Sequence, residues 1–419
     1  MGLPLKKAVI LGDSESLFVQ SLALNWHSRG MEVVVVTRRT ECPPFCPDIR
    51  VVAANKFRTW WMRPLRVFNP VLRWLERYWP KWTLVRYQRV TGKSAPEPWE
   101  HFWVDGFWDA MCCSRAVESE QPDFVFGQEA AAYGFATARC RNVPRVLFPW
   151  GADIFFCVET SPFLRWMVRY AVRHCELIVP SSSTAVSRLV KDLGADAASV
   201  TPVSWGADLS LFERADSESR NTLLTELGFS DDAVVVMNCR RFLPLWGAKE
   251  VLGAFVDAAQ RMPETRFILL GGAGSEMHVE QARAVVKAKN LTDRFYFVDG
   301  NISLERCAEL MSVSDVSVSL LGTGDMRSSS VLQAAAAGGV PVWAESMEYR
   351  RMADAGFQAI FVKRGDHKEI TDVIENLAQN QELRNRIRQQ NRRYLLDNED
   401  APRQMQRLLD LIAAVCSGK

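Results

Sequence analysis

Three consecutive serines, Ser328, Ser329 and Ser330, close a loop that begins Gly-Thr-Gly-Asp at 322–325 and runs into an Ala-rich stretch ending at Gly338-Gly339. The first N–H groups of a helix have no partner inside it. Serines at such a start, beside the positive end of the helix dipole, therefore make a seat for an anion. Asp325 and Gln333, eight positions apart, frame that seat with hydrogen-bonding side chains. The apolar runs 316–321 and 340–343 on either side read as parallel strands. That places the loop at the carboxyl end of a sheet, where open α/β sheets bind ligands. The arrangement suits a nucleotide diphosphate, and an ordinary capped helix explains the same residues equally well.

The elements that position this loop follow from hydrophobic periodicity. Short apolar runs alternate with helical spacing almost from end to end. The first set of strands is read at 7–11, 32–37, 123–126, 145–148, 176–179 and 200–204. After the charged stretch 213–221 the pattern restarts at 233–238, 266–271, 294–298, 316–321, 340–343 and 359–362. Strands alternating with helices mean parallel sheets covered on both faces. Two such runs predict two Rossmann-like, doubly wound domains facing a cleft. The boundaries are read as 1–212 and 213–395, with a C-terminal helix over 396–419 crossing back to the first domain. Within the helix at 247–261, Val251, Phe255 and Ala258 share one face. Helices are also read at 367–378, 380–396 and 402–415.

Composition bounds the rest. A chain of 419 residues exceeds one ordinary core, and a net charge of +2 excludes a molecule-wide field for polyanions. The ten cysteines fit no zinc spacing and sit mostly in apolar segments, so they read as buried free thiols of a reducing compartment. The first apolar run is too short for a signal peptide, and no stretch reaches about 18 uninterrupted apolar residues. The expected location is cytoplasmic.

Residues 56–93 break the alternation. They carry ten Lys/Arg against one acid, Glu76, with Trp60, Trp61, Trp74, Trp79 and Trp82 interleaved. Cations with amphipathic rings at their boundary suit the inner face of an anionic membrane, and Arg58, Arg63, Arg66 and Arg73 would meet its headgroups. A Trp-rich core packet under Arg stems is the second reading. Nucleic acid, stacked on the aromatics, is the third and least favoured.

Several motifs, in order, resemble those of glycosyltransferase family 4, which has the GT-B fold. WGADLSLF at 205–212 is similar to the interdomain signature. RRFLPLWGAKEVLGAF at 240–255 resembles the segment opening the second domain, FILLGGAGSE at 267–276 its Gly-rich turn, and 295–318 its base-recognition loop and following helix. Asp325 and Gln333 fall where the family carries Glu-x7-Glu. WGADIF at 150–155 resembles a strand-end motif of relatives, and it places Asp153, a catalytic candidate with Asp325 and Arg241, at the cleft beside the early loop 12–16. The resemblance implies retaining transfer from a nucleotide sugar to a glycan or lipid-linked acceptor, with no cofactor and no metal. Asp325 would contact the donor sugar, Gln333 the ribose, and the amides of 328–330 the diphosphate, with Gly272 among the donor-binding residues. Arg240 or Arg241 would neutralise the leaving group, and backbone groups near Asn301 and Ile302 would read the base.

Two positions depart from the pattern. Where relatives carry a Lys-Gly five residues after the Arg, this chain has Trp246-Gly247, which leaves Lys249 or Arg240 to supply the charge. Gln333 keeps hydrogen bonding to ribose but brings no charge. The departures leave open a degenerate relative that serves as a membrane scaffold or regulatory binding protein, or another GT-B enzyme. Glu129, after the strand at 123–127, reads either as a cleft residue or as a helix-start acid.

Overall fold

The computed structural model describes residues 5–39, 44–57, 104–160, 162–272, 274–320 and 327–418. Asp325, Arg58, Trp60, Trp61, Arg63, Arg66 and Arg73 lie outside the described residues, and so does most of the basic, Trp-rich segment.

The chain divides into two compact units, residues 1–203 with 406–419 and residues 204–405. The helix Ala401–Ser417 thus begins in the second unit and ends in the first. Each unit is built on one six-stranded parallel sheet.

In the first unit the strands are β1 (Lys7–Leu11), β2 (Glu32–Thr37), β3 (Arg50–Ala53), β4 (Phe124–Gln128), β5 (Arg145–Phe148) and β6 (Leu177–Ile178), in the order β3-β2-β1-β4-β5-β6. Central strands are apolar on both faces because helices cover both. Ala8 to Leu11 and Val33 to Val36 are all buried. Trp26, on the helix Leu17–Ser28, stacks edge-on against Phe124 and Phe126 of β4 at 5.3 Å each and seals one face.

In the second unit the strands are β7 (Val234–Asn238), β8 (Thr265–Leu270), β9 (Phe295–Val298), β10 (Val316–Ser319), β11 (Val340–Ala344) and β12 (Ile360–Val362), in the order β12-β11-β10-β7-β8-β9. Alternation along β7 shows the two layers. Val235 and Met237 enter one core with Phe212, Trp343 and Phe357, while Val234 and Val236 enter the other with Phe255 and Phe267.

Eleven of the twelve strands read from the sequence fall on observed ones. The exception is 200–204, which pairs only through a single Ile178–Val200 bridge. Thr201 N donates to Ile178 O and Val203 N to Pro180 O, each at 3.0 Å, but Pro180 has no N–H to return to Thr201 O, and the ladder stops there. At the opposite edge the first sheet has β3, a four-residue strand that is not among the twelve read from the sequence. Six of the nine described cysteines are buried.

At the amino-terminal edge of the second sheet, Asp315 holds the unit together. Its carboxylate accepts from Arg214 at 2.8 Å, Arg220 at 3.0 Å and Arg388 at 2.6 Å, and from the Val235 N–H at 3.0 Å. The guanidiniums also cap carbonyls at helix ends: Arg214 donates to Ser314 O, and Arg388 to Gly338 O at 2.7 Å. Burial alone would raise the Asp315 pKa. The three arginines and the Val235 N–H overcome it and hold the carboxyl below its ordinary value.

Asp315→Asn should therefore cost about 3–5 kcal/mol in urea unfolding at pH 7, because it strands buried guanidiniums. A depressed folded pKa gives stability that is complete above about pH 4 and is lost as pH falls through the folded value. The variant should accordingly lose less of its remaining stability than the wild type on acidification below pH 4.

Candidate active site

The strand order of the second sheet reverses between β7 and β10. Their connections leave on opposite faces, so a crevice opens at their carboxyl ends. The residues that line it are placed by backbone constraints at the end of β7. The Asn238 side chain accepts from Leu270 N at 2.6 Å and donates to Arg240 O, which clips the outgoing loop to the end of β8. Phe242 N donates to Leu270 O at 2.9 Å and repeats the clip two residues on. A 3-10 turn, Pro244–Trp246, then reverses the chain, and Gly247 starts the helix Ala248–Arg261 at φ +74°. A Cβ there would sit 2.8 Å from the Leu320 side chain, so only glycine fits.

This loop delivers Arg240 across the switch point. Its guanidinium donates to Ser328 Oγ and lies 3.4 Å from Ser330 Oγ, and the two hydroxyls are 3.1 Å apart. Ser328 is the N-cap of the helix Ser329–Ala336, but its side chain makes no capping bond. It has turned to the arginine instead. Burial lowers the pKa of both Arg240 and Arg241, which stay charged because a guanidinium starts so high. Arg241 lays its stem against Gly272: a Cβ on Gly272, whose φ is +137°, would meet Arg241 Cδ at 2.7 Å and Asn301 Oδ1 at 3.7 Å. Both guanidiniums lie over the Trp246 ring, Arg240 at 4.6 Å and Arg241 at 5.1 Å from its centroid.

The structure thus gathers Arg240, Arg241, Gly272, Asn301, Ser328 and Ser330 at one edge of one sheet. Ser329 and Gln333 are half-buried on the same helix. Ile302 is half-buried against the core, and Lys249 is exposed on the first turn of its helix. Sequence reasoning missed Asn238, although a polar residue ending the run VVVMN was a visible signal. It also missed the Arg327 anchor. Arg327 bonds Glu348 Oε1 at 2.7 Å through Nη2 and pairs with Glu399 through Nη1; both carboxylates are buried. Glu399 in turn accepts from Ser204 Oγ.

In the first unit the corresponding edge carries Asp153 and Glu129. Asp153 is buried in a π-helical turn, Ala152–Cys157. One oxygen takes Gly151 N at 2.8 Å and Ile154 N at 2.9 Å, and the other takes Ala130 N and Trp150 N. Burial pushes its pKa up, and the four N–H groups pull against that. This geometry clamps the loop after β4 to the turn after β5. Glu129 has a left-handed backbone, φ +73°, and caps Tyr133 N at 2.9 Å. Burial first, and the charge of Asp153 second, push its carboxyl up to about 7.

A carboxyl raised in the folded state contributes stability that is complete below the unfolded pKa and is lost as pH rises through the folded value. Glu129→Gln removes that slope. Urea unfolding at pH 5 and pH 8 should show the variant gaining on the wild type at the higher pH, by on the order of 2–3 kcal/mol.

Comparison with known families and folds gives the class. The model described as "Glycosyltransferase Family 4" matches residues 16–211, and the one described as "Glycosyl transferases group 1" matches residues 219–394. The chain belongs to the GT-B glycosyltransferases of the family 4 type. Among solved structures it resembles a sucrose-phosphate synthase from Thermosynechococcus elongatus, with a TM-score of 0.73 at 13% identity over 99% of this chain and 100% of that one. HepE of Anabaena, solved with UDP and glucose, gives 0.67 at 14% identity over 98% and 100%. WaaG, a glycosyltransferase involved in lipopolysaccharide biosynthesis, gives 0.64 at 12% identity over 97% and 99%. A search of the curated proteins finds no match.

Proposed function

We propose that this glycosyltransferase takes a nucleotide sugar as donor and moves its sugar, with retention and without a metal, to a hydroxyl of a glycan or lipid-linked acceptor. The product would enter cell-surface polysaccharide or glycolipid. The observation that carries the reading is the Arg240 guanidinium set against Ser328 and Ser330 at a helix start on the switch point. A departing diphosphate gains negative charge in the transition state, and fixed cations with unpaired helix N–H groups stabilise it most there. Arg241 packs its stem over Gly272, which brings a second guanidinium to the same strand end. Gln333 would bond the ribose, backbone near Asn301 and Ile302 would read the base, and Asp325 would hold the donor sugar. Asp153 enters as the residue that fixes the acceptor-side loops, because backbone donors already fill both of its oxygens. The relatives solved with UDP, or with UDP and glucose, support a nucleotide donor.

Attachment to an anionic membrane has its own support among the described residues. The helix Pro162–His174 carries three arginines and no acid, and it exposes Phe163 and Trp166, stacked at 5.6 Å. Among the described residues no helix is long and apolar enough to cross a membrane.

The test is a thermal-shift panel of UDP, GDP, ADP and CDP with their common sugar conjugates. A ligand at a hundred times its Kd should stabilise the fold by about 2.7 kcal/mol. With the responding donor, Arg241→Ala should cut kcat/KM about 10²-fold or more while leaving the unfolding midpoint within a few degrees. Silence across the panel would favour the degenerate-scaffold reading.

A further inference from the structure

We propose that Trp246 is a positioning residue for the phosphate-binding cations: its indole is a shelf that holds the Arg240 and Arg241 guanidiniums together at the β7–β10 switch point. The inference rests on the nucleotide-sugar reading and says how this chain builds its cation pair. Consecutive residues of an extended segment point to opposite sides, so Arg240 and Arg241 need a reason to reach one ring. The loop supplies it. Leu243 N donates to Arg241 O at 2.9 Å, Trp246 N to Leu243 O at 2.9 Å, and the left-handed Gly247 locks the reversal under Leu320. The indole is thereby brought back beneath both side chains, at 4.6 and 5.1 Å, within the range of cation–π attraction.

The chemistry of the shelf matters. Two adjacent guanidiniums repel, and burial depresses both. A carboxylate could hold them, but it would also neutralise the charge a diphosphate needs. Among the described residues no carboxylate pairs with Arg240; its partners are two hydroxyls and the ring. An aromatic face fixes a guanidinium by its plane and leaves the charge and the N–H edge for an anion. Trp at this position is therefore not a vacant cation site. A lysine here would add a third like charge and remove the shelf.

The experiment compares wild type with Trp246→Phe, Trp246→Ala and Trp246→Lys. Calorimetry with UDP, GDP, ADP and inorganic pyrophosphate reads affinity. Arginine Nε–Hε spectra of the free protein, assigned with Arg240→Lys and Arg241→Lys, read the ring-current displacement of each guanidinium. Expected is a loss of about 10-fold in affinity for the responding probe in Trp246→Ala and in Trp246→Lys. Trp246→Phe, which keeps a π face, should stay within about 3-fold of wild type. Both Hε signals should lie upfield in wild type and return to ordinary values in the alanine and lysine variants. Tighter binding by Trp246→Lys, unchanged binding by Trp246→Ala, or Hε signals that ignore the substitution would each overturn the proposal. If wild type binds none of the probes, the nucleotide reading falls and takes this one with it. Wild-type binding that Trp246→Ala leaves intact sinks the shelf alone.

Discussion

All neighbouring strands in both sheets pair in parallel, and the remaining architecture follows from that constraint. A parallel pair cannot be joined by a tight turn, so each connection must cross a face and each face must be apolar. The carboxyl ends of the strands then collect on one edge of each sheet. Where the order reverses, at β1–β4 and at β7–β10, the outgoing loops diverge and leave polar backbone uncovered. The two edges of the second sheet have opposite tasks. The amino-terminal edge is closed by Asp315 and its three arginines, which quench the negative ends of two helices, Leu304–Ser312 and Ser329–Ala336. The carboxyl edge sets Arg240 against two hydroxyls and lays both Arg240 and Arg241 over the Trp246 indole.

Sequence patterning read the fold well because its signals are local. Buried parallel strands such as EVVVVT and AVVVMN are short apolar runs that need no partner to be seen. The strand at 50–53 escapes and the run 200–204 reads as a full strand, because edge pairing depends on a neighbour and on where a proline removes a donor. The second-domain site was legible as a set of residue types in order, since Ser328, Ser330, Arg240, Arg241 and Gly272 converge in space. Their mutual arrangement was not. Nothing in the string RRFLPLWG says that a 3-10 turn will return Trp246 beneath both arginines, and the substitution reads there as a missing cation. Asp153 shows the converse. The resemblance placed it at the cleft, and the four backbone donors that converge on it appear only once the loops are folded.

The start of the helix Ser329–Ala336 shows how buried charge can define a single geometry. Arg327 stands one residue before the N-cap Ser328 and is held by two buried carboxylates, Glu348 and Glu399. Burial pushes Glu399 up and Arg327 pulls it back, so the pair spends desolvation against attraction, and an apolar trio of equal volume could match it in stability. Direction is what the ionic version adds. Glu399 also receives Ser204 Oγ, while Ala207 N donates to Glu399 O at 2.8 Å and Ala401 N to Ala207 O at 3.0 Å. Gly206, at φ +66°, approaches so closely that a Cβ would lie 2.3 Å from that carbonyl. The stretch where the chain enters the second unit, the stretch where it leaves, and the residue preceding Ser328 therefore meet at one carboxylate. Ser328, held against Arg240, is tied through its neighbour Arg327 to Glu348 and Glu399. Arg327 cannot turn without giving up its ion pairs with two buried carboxylates, which fixes the start of that helix.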